Sequence, residues 1–252
     1  ALRIPIAVMA GMLILCLSHG TALDLFMTSW THPDLIATRD SPYSRVTVTS
    51  REGQIVVYGD DSLLFESESI RAEEFVHLAA LQHPKPENVL VLGGSVEGVL
   101  ARIQAHTPDI VDYVELNPVL LDIARTRLPS PIQQSLEAEN VRIYIDDPRR
   151  FLQSAKEYDL ILIAMPEPFS GQANRFYTLE FFQQCAARLQ PNGIVAFHLP
   201  GSENYLPPQM LYRMAGVYRA AKLALPEIMV LPGADSIFLC SWTPLVKDPS
   251  IL

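Results

Sequence analysis

Between Asn88 and Phe197, strand-length apolar runs alternate with helix-length segments, and that alternation limits the fold more than any other feature of the chain. Asn88-Val89-Leu90-Val91-Leu92 runs into Gly93-Gly94, and a helix is expected from Val96 to Ala105. Val111 to Glu115 reads as the next strand, Val119 to Arg127 as a helix, and Val141 to Ile145, after a polar loop, as a third strand. Further strands are expected at Leu160 to Ile163 and Gly193 to Phe197, with the helix Leu179 to Leu189 between them. Such alternation predicts a parallel sheet covered on both faces, with ligands at the carboxyl ends of its strands.

The last two strands, Glu227 to Leu231 and Ser236 to Ser241, are separated only by Pro232-Gly233-Ala234-Asp235. A parallel crossover needs a dozen residues or so, and this link demands an antiparallel pair. By fold analogy, a closing hairpin marks the S-adenosylmethionine-type variant, so the expected class is α/β with a Rossmann-like, seven-stranded, methyltransferase-type sheet over residues 67–245. Upstream, residues 41–66 hold short β-like pieces at Arg45 to Thr49, Gln54 to Tyr58 and Ser62 to Phe65, which predict a small antiparallel β-sheet domain. Helical spacing from Ser69 to Leu81 ends at Pro84 and Pro86.

Residues 1–30 are apolar, most purely from Ile4 to Leu17, and the start at Ala1 reads as the cut edge of a longer parent. A transmembrane helix is the leading expectation, which makes the protein membrane-associated with its larger domain in the cytoplasm. A signal peptide and a buried helix compete with it, since Ser18, His19 and Asp24 interrupt the run and only Arg3 precedes it.

The candidate chemistry sits at predicted strand ends. Gly93-Gly94-Ser95-Val96-Glu97-Gly98 lets a ligand approach the backbone closely, with a purely structural tight turn as the alternative. Glu115 ends the second strand about 20 residues beyond the glycines, where a carboxylate can accept both hydroxyls of a ribose. Asp146-Asp147 ends the third, either reaching an adenine amino group or capping the helix that begins at Arg149. Glu167, held between Pro166 and Pro168 after the fourth strand, is the main catalytic candidate. Cys16, Cys185 and Cys240 show no zinc spacing and read as reduced core residues, and no metal site is expected. His77, His83, His106 and His198 are scattered, and no serine nucleophile elbow is present. A net charge of −9 speaks against a nucleic-acid partner and suits a small cationic ligand.

Ser41-Pro42-Tyr43-Ser44-Arg45-Val46-Thr47-Val48, the Gly-Gly turn with Glu115-Leu116-Asn117-Pro118, Asp147-Pro148-Arg149-Arg150-Phe151-Leu152 and Phe176-Tyr177-Thr178-Leu179-Glu180-Phe181-Phe182 together resemble the polyamine aminopropyltransferases, the spermidine synthase family. The resemblance covers roughly Ser41 to Ser241 and is similar in particular to a bacterial branch fused behind membrane helices. It implies transfer of an aminopropyl group from decarboxylated S-adenosylmethionine, as co-substrate and without a prosthetic group, to a polyamine such as putrescine. Polyamine and nucleoside ligands are the implied partners, and a homodimer is compatible with the family.

Carried over by position, Glu167 is the implied catalytic base. Gly93, Gly94 and Gly98 would hold the methionine-derived part of the donor, Glu115 the ribose and Asp147 the adenine. Tyr43, Glu73 and Tyr177 would serve the substrate, with neighbouring carboxylates holding the far ammonium. The departures are serious, and the amine half of the site reads as eroded more than the nucleoside half. Val96 stands for the Asp of the family's Gly-Gly-Gly-Asp-Gly-Gly, Ala164 for the first Asp of the catalytic loop, Arg71-Ala72 for a Tyr-His pair and Ser62 for a donor-binding Gln. These losses keep open a non-catalytic nucleoside or polyamine sensor, and the fold keeps open a small-molecule methyltransferase.

Overall fold

The computed structural model describes residues 3–67, 70–202 and 205–248, and the chain divides into two units, 1–68 and 69–252. The first unit holds helix α1 (Arg3–Thr31) and an antiparallel sheet of four strands in the order β1 (Leu35–Asp40), β2 (Arg45–Arg51), β3 (Gln54–Gly59) and β4 (Ser62–Glu66). Val46, Val48 and Val57 are fully buried in it. Tight turns set the register. Glu52 and Gly53 adopt positive φ between β2 and β3, as do Asp60 and Asp61 between β3 and β4.

The N-terminal expectation does not stand. Among the described residues no helix is long and apolar enough to cross a membrane, so the transmembrane segment and the membrane-associated, cytoplasm-facing placement built on it are withdrawn. The reason lies in the second half of α1. Asp24 receives Arg45 Nη2 at 2.6 Å and Thr28 Oγ1 receives the same nitrogen at 2.8 Å, tying the helix to β2 of its own sheet through a charged pair. The side chain of Cys16 lies outside the described residues.

In the second unit the elements run α2 (Arg71–Ala80), β5 (Asn88–Gly93), α3 (Val99–Ile103), β6 (Ile110–Glu115), α4 (Pro118–Arg127), α5 (Ser130–Leu136), β7 (Val141–Ile145) and α6 (Pro148–Ser154). They continue with β8 (Tyr158–Ala164), α7 (Gly171–Asn174), α8 (Leu179–Ala186), β9 (Leu189–Pro200), α9 (Pro208–Ala224), β10 (Glu227–Leu231) and β11 (Asp235–Ser241). The seven strands form one sheet in the order β10-β11-β9-β8-β5-β6-β7. β5 to β9 pair in parallel, and β11 is antiparallel to both neighbours, as the short link before it requires.

Near-continuous apolar strands put the core at the centre of this sheet. Val89 to Leu92 and Leu160 to Ile163 are fully buried. On one face the rings of Phe197 and Phe238 stack 4.7 Å apart, Phe182 lies 5.1 Å from Phe197, and Cys185 and Cys240 are buried free thiols. The aromatic run leading into and through the start of α8 is core packing, with Phe176, Phe181 and Phe182 each no more than 1% exposed. The histidines are less scattered than their sequence positions imply. His77 Nδ1 and His106 Nε2 share a proton at 2.7 Å, and burial followed by the neighbouring His77 pushes His106 below its ordinary value.

Two outcomes follow. Phe197→Ala removes a stacked ring from a dry core and lowers unfolding free energy by about 3–5 kcal/mol in urea titrations. His106, its pKa lowered on folding, binds fewer protons folded than unfolded near pH 6.5, so it costs nothing at pH 8 and destabilises progressively as pH falls through that value. His106→Gln removes that part of the acid-side fall in the urea midpoint.

Candidate functional site

Everything at the carboxyl edge of the large sheet depends on how closely β5 and β8 end together. Gly93 pairs with Ala164, and a Cβ on Gly93 would meet the Ala164 carbonyl oxygen at 2.6 Å and Met165 Sδ at 2.9 Å. A Cβ on Gly94 would meet that of Ala164 at 2.7 Å. Both glycines, and Gly98, have φ between +74° and +82°, a region that L side chains avoid. The turn from β5 into α3 is thereby laid against the loop that carries Glu167. The helix expected from Val96 starts only at Val99, because Gly98 is left-handed.

Glu115 ends β6 almost completely buried, at 3% exposure. One oxygen accepts from the Tyr113 hydroxyl at 2.8 Å and the other from the Asn117 amide at 2.9 Å. Burial raises its pKa, opposed by donors from Asn117, Ser95 and Tyr113. Tyr113 and Asn117 thus fix one oxygen each, and Ser95 donates toward the same carboxylate. Asp147 performs the capping role weighed for it: it accepts from the Arg149 amide at 3.0 Å at the start of α6, and its other oxygen meets Arg175 Nη1 at 2.9 Å. Its neighbour Asp146 turns instead to Arg150 Nε, at 2.6 Å, which holds its carboxyl below the ordinary range.

Glu167 stands after β8 and is half-buried. Burial raises its pKa, Asp235 adds to the rise, and Arg213, His198 and Arg71 oppose it. Tyr177, 3% exposed, donates its hydroxyl to the Met165 carbonyl at 2.8 Å and thereby braces this loop. Burial raises the Tyr177 pKa, and the charges of Glu97 and Glu167 raise it further. Glu73, on α2, pairs with Arg102 Nη1 of α3 at 3.3 Å, and any ligand role requires that pair to open. Tyr43 belongs to the first unit, in the turn between β1 and β2, where its amide donates to Ser41 Oγ at 3.2 Å.

Several members of this edge carry no signal in the sequence. His198, set aside as scattered, ends β9 with Nε2 3.6 Å from Glu97 Oε2 and its ring 4.8 Å from that of Phe75. Burial lowers its pKa, but Glu97 and Asp235 more than compensate, and the net shift is upward. Arg71 Nε meets Asp235 at 2.8 Å. Arg213, on α9, lines one small cleft with Glu167. These residues come from α2, β9, α9 and β11, and only the closed sheet makes them neighbours. Three of the departing positions, Ala72, Val96 and Ala164, are buried, at 7%, 3% and 3% exposure, and pack in the core.

A seven-stranded sheet closed by an antiparallel hairpin, with a glycine turn, a buried carboxylate and a carboxylate loop at one edge, is a Rossmann-like α/β fold of methyltransferase type. The spermine/spermidine synthase domain matches residues 68–232, and the chain belongs to that family. It is 34% identical over 166 residues to a polyamine aminopropyltransferase of Oceanobacillus iheyensis, covering 63% of this chain and 32% of the relative. It is 27% identical over 260 residues to one of Mycobacterium tuberculosis, covering 98% and 48%, so the chain spans half or less of these two relatives. Among solved structures, a spermidine synthase in complex with the transition-state analogue AdoDATO superposes with a TM-score of 0.73 at 21% identity, over 83% of this chain and 74% of the other. The spermidine synthase from Thermotoga maritima gives 0.70 at 20%, over 83% and 73%. At these identities the two structures support the fold.

The Glu97–His198 contact is directly testable. Glu97→Gln removes the carboxylate that holds His198 above its ordinary value, and an NMR titration of His198 should show its pKa falling.

Proposed function

We propose that this chain transfers the aminopropyl group of decarboxylated S-adenosylmethionine to the nitrogen of an amine, with putrescine the acceptor to test first. The observation that carries the reading is Glu167. It is a carboxyl held between two prolines at the end of β8, raised in pKa by burial, on a loop pressed against the glycine turn of a family member.

In the reaction the amine nitrogen attacks the methylene beside the sulfonium. The C–S bond breaks, its electron pair stays on sulfur, and methylthioadenosine leaves neutral. The alkylammonium must first lose a proton at an ordinary pKa of about 10.4, and a base of raised pKa is better matched to that work than an exposed glutamate. Glu167 takes this proton. Glu115 accepts the ribose hydroxyls, Asp147 accepts from the adenine amino group while still capping α6, and Gly93, Gly94 and Gly98 admit the aminopropyl chain against the backbone. Tyr177 contributes by bracing the Met165 carbonyl, so that the carboxyl stays where the nitrogen arrives. Misplacement by about 1 Å is enough to cost roughly a hundredfold in rate.

Calorimetry with methylthioadenosine, followed by chromatographic assay of putrescine and decarboxylated S-adenosylmethionine, tests this reading. Binding with turnover supports it, and absence of nucleoside binding removes it. Glu167→Gln should lower kcat by about 10²–10⁴-fold while leaving methylthioadenosine affinity intact. The acid limb of the wild-type kcat/KM profile should lie above pH 4.5, because Glu167, raised in the free protein, must be ionised to accept a proton.

A further inference from the structure

At the end of β7 the main chain of residues 147–149 has no donor left for a base. The Asp147 amide donates to Asp146 Oδ1 at 2.6 Å, Pro148 has no N–H, and the Arg149 amide donates to Asp147 Oδ1 at 3.0 Å. A base held beside these residues is therefore read by side chains. Adenine presents a donor next to an acceptor, its amino group being flanked by the ring nitrogens N1 and N7, so a carboxylate alone answers only half of that pattern.

Arg175 can supply the other half. It follows α7, and its Nη1 lies 2.9 Å from Asp147 Oδ2. The guanidinium sits over the ring of Phe176, 4.6 Å from its centre, and that ring is 1% exposed, so the donor rests on a fixed support. A guanidinium carries only donors and has no acceptor of its own. Asp147 is the acceptor that Arg175 meets among the described residues, and Arg175 Nε is buried there without a hydrogen-bond partner. A buried donor left unmade is costly, and it marks donor capacity that the protein does not satisfy by itself. The pair is nonetheless within reach of a ligand, with 31% of the Arg175 side chain and 29% of the Asp147 side chain exposed.

We infer that Asp147 and Arg175 read the base as one unit, with Asp147 accepting from the amino group of adenine and Arg175 donating to a ring nitrogen beside it. This inference rests on the nucleoside half of the proposed function and adds the residue that sets base choice. An acceptor and a donor 2.9 Å apart match neighbouring groups along one edge of the base. The bond from a charged donor contributes about tenfold or more in affinity.

Calorimetry on the full chain with methylthioadenosine and with two analogues, in which N1 or N7 is replaced by CH, tests the assignment. The wild type should bind at least one analogue about tenfold more weakly than methylthioadenosine, the loss expected for one charge-assisted bond. Arg175→Met and Arg175→Leu keep an apolar chain over Phe176 and carry no donor. Each should weaken methylthioadenosine and bring the affected analogue within about threefold of it, because the same bond cannot be lost twice. Thermal unfolding checks that the variants are folded. Wild-type binding of both analogues as tightly as methylthioadenosine, or a penalty that persists unchanged in a folded variant, overturns the inference and leaves the proposed function standing. Failure of the wild type to bind methylthioadenosine removes the proposed function and this inference with it.

Discussion

The approach of Gly93-Gly94 to Ala164-Met165 is the constraint on which the rest of the second unit depends. Two parallel strands at the centre of a sheet end at the same height, and their loops must share the space above them. With no side chain on the first loop and only a methyl at Ala164 on the second, the two backbones come within a distance that any Cβ would fill. That contact turns the chain sharply into α3, leaves Glu97 beside β9, and lays the Pro166-Glu167-Pro168 loop along the rim. The positive φ of both glycines is the conformational cost of this arrangement, and residues without a Cβ bear it at least expense.

Burial and charge are then arranged around that rim in two different ways. On the β6 side, Glu115 is nearly closed off from water and satisfied by Tyr113 and Asn117, a rigid acceptor whose orientation is fixed before any ligand arrives. On the β8 and β9 side, the groups are partly exposed and paired between distant segments, as with Arg71 and Asp235, or His198 and Glu97. The first arrangement suits a neutral polyol recognised through hydrogen bonds. The second responds to charge, since each pair is held by a partner that a ligand can displace.

The parallel sheet was legible because its strands are unbroken apolar runs with glycine or carboxylate at their ends, and the antiparallel close was legible because four residues cannot make a crossover. The elements that escaped have physical reasons. α9 runs for 17 residues but buries only Val217, Ala221 and Ala224, while Leu211, Tyr212 and Leu223 face solvent, so no apolar stripe announces it. α5 hides behind Pro129 and Pro131, which read as breakers yet are tolerated at a helix start. β1 ends in Thr38-Arg39-Asp40 and lacks the apolar alternation of its neighbours. The transmembrane reading weighed the apolar run of α1 and could not see that Asp24 and Thr28 answer Arg45 twenty residues on.

The candidate site divides along the same line. Glu115, Asp147, Glu167 and the glycines stand at strand ends, where local pattern alone gives their place, whereas Arg71, His198, Arg213 and Asp235 are spread over more than 160 residues. The losses at Ala72, Val96 and Ala164 looked in sequence like erosion of the acceptor half. In the fold all three are buried apolar contacts, and a carboxylate stands one position along the turn from Val96, at Glu97. An eroded site leaves buried polar groups without partners, and this edge has some: Arg175 Nε, beside Asp147, and Asp235 Oδ2 are buried without a hydrogen-bond partner. Arg71 with Asp235 and His198 with Glu97 remain in contact around them, so the strand-end frame is retained while the polar groups that surround it are only partly satisfied.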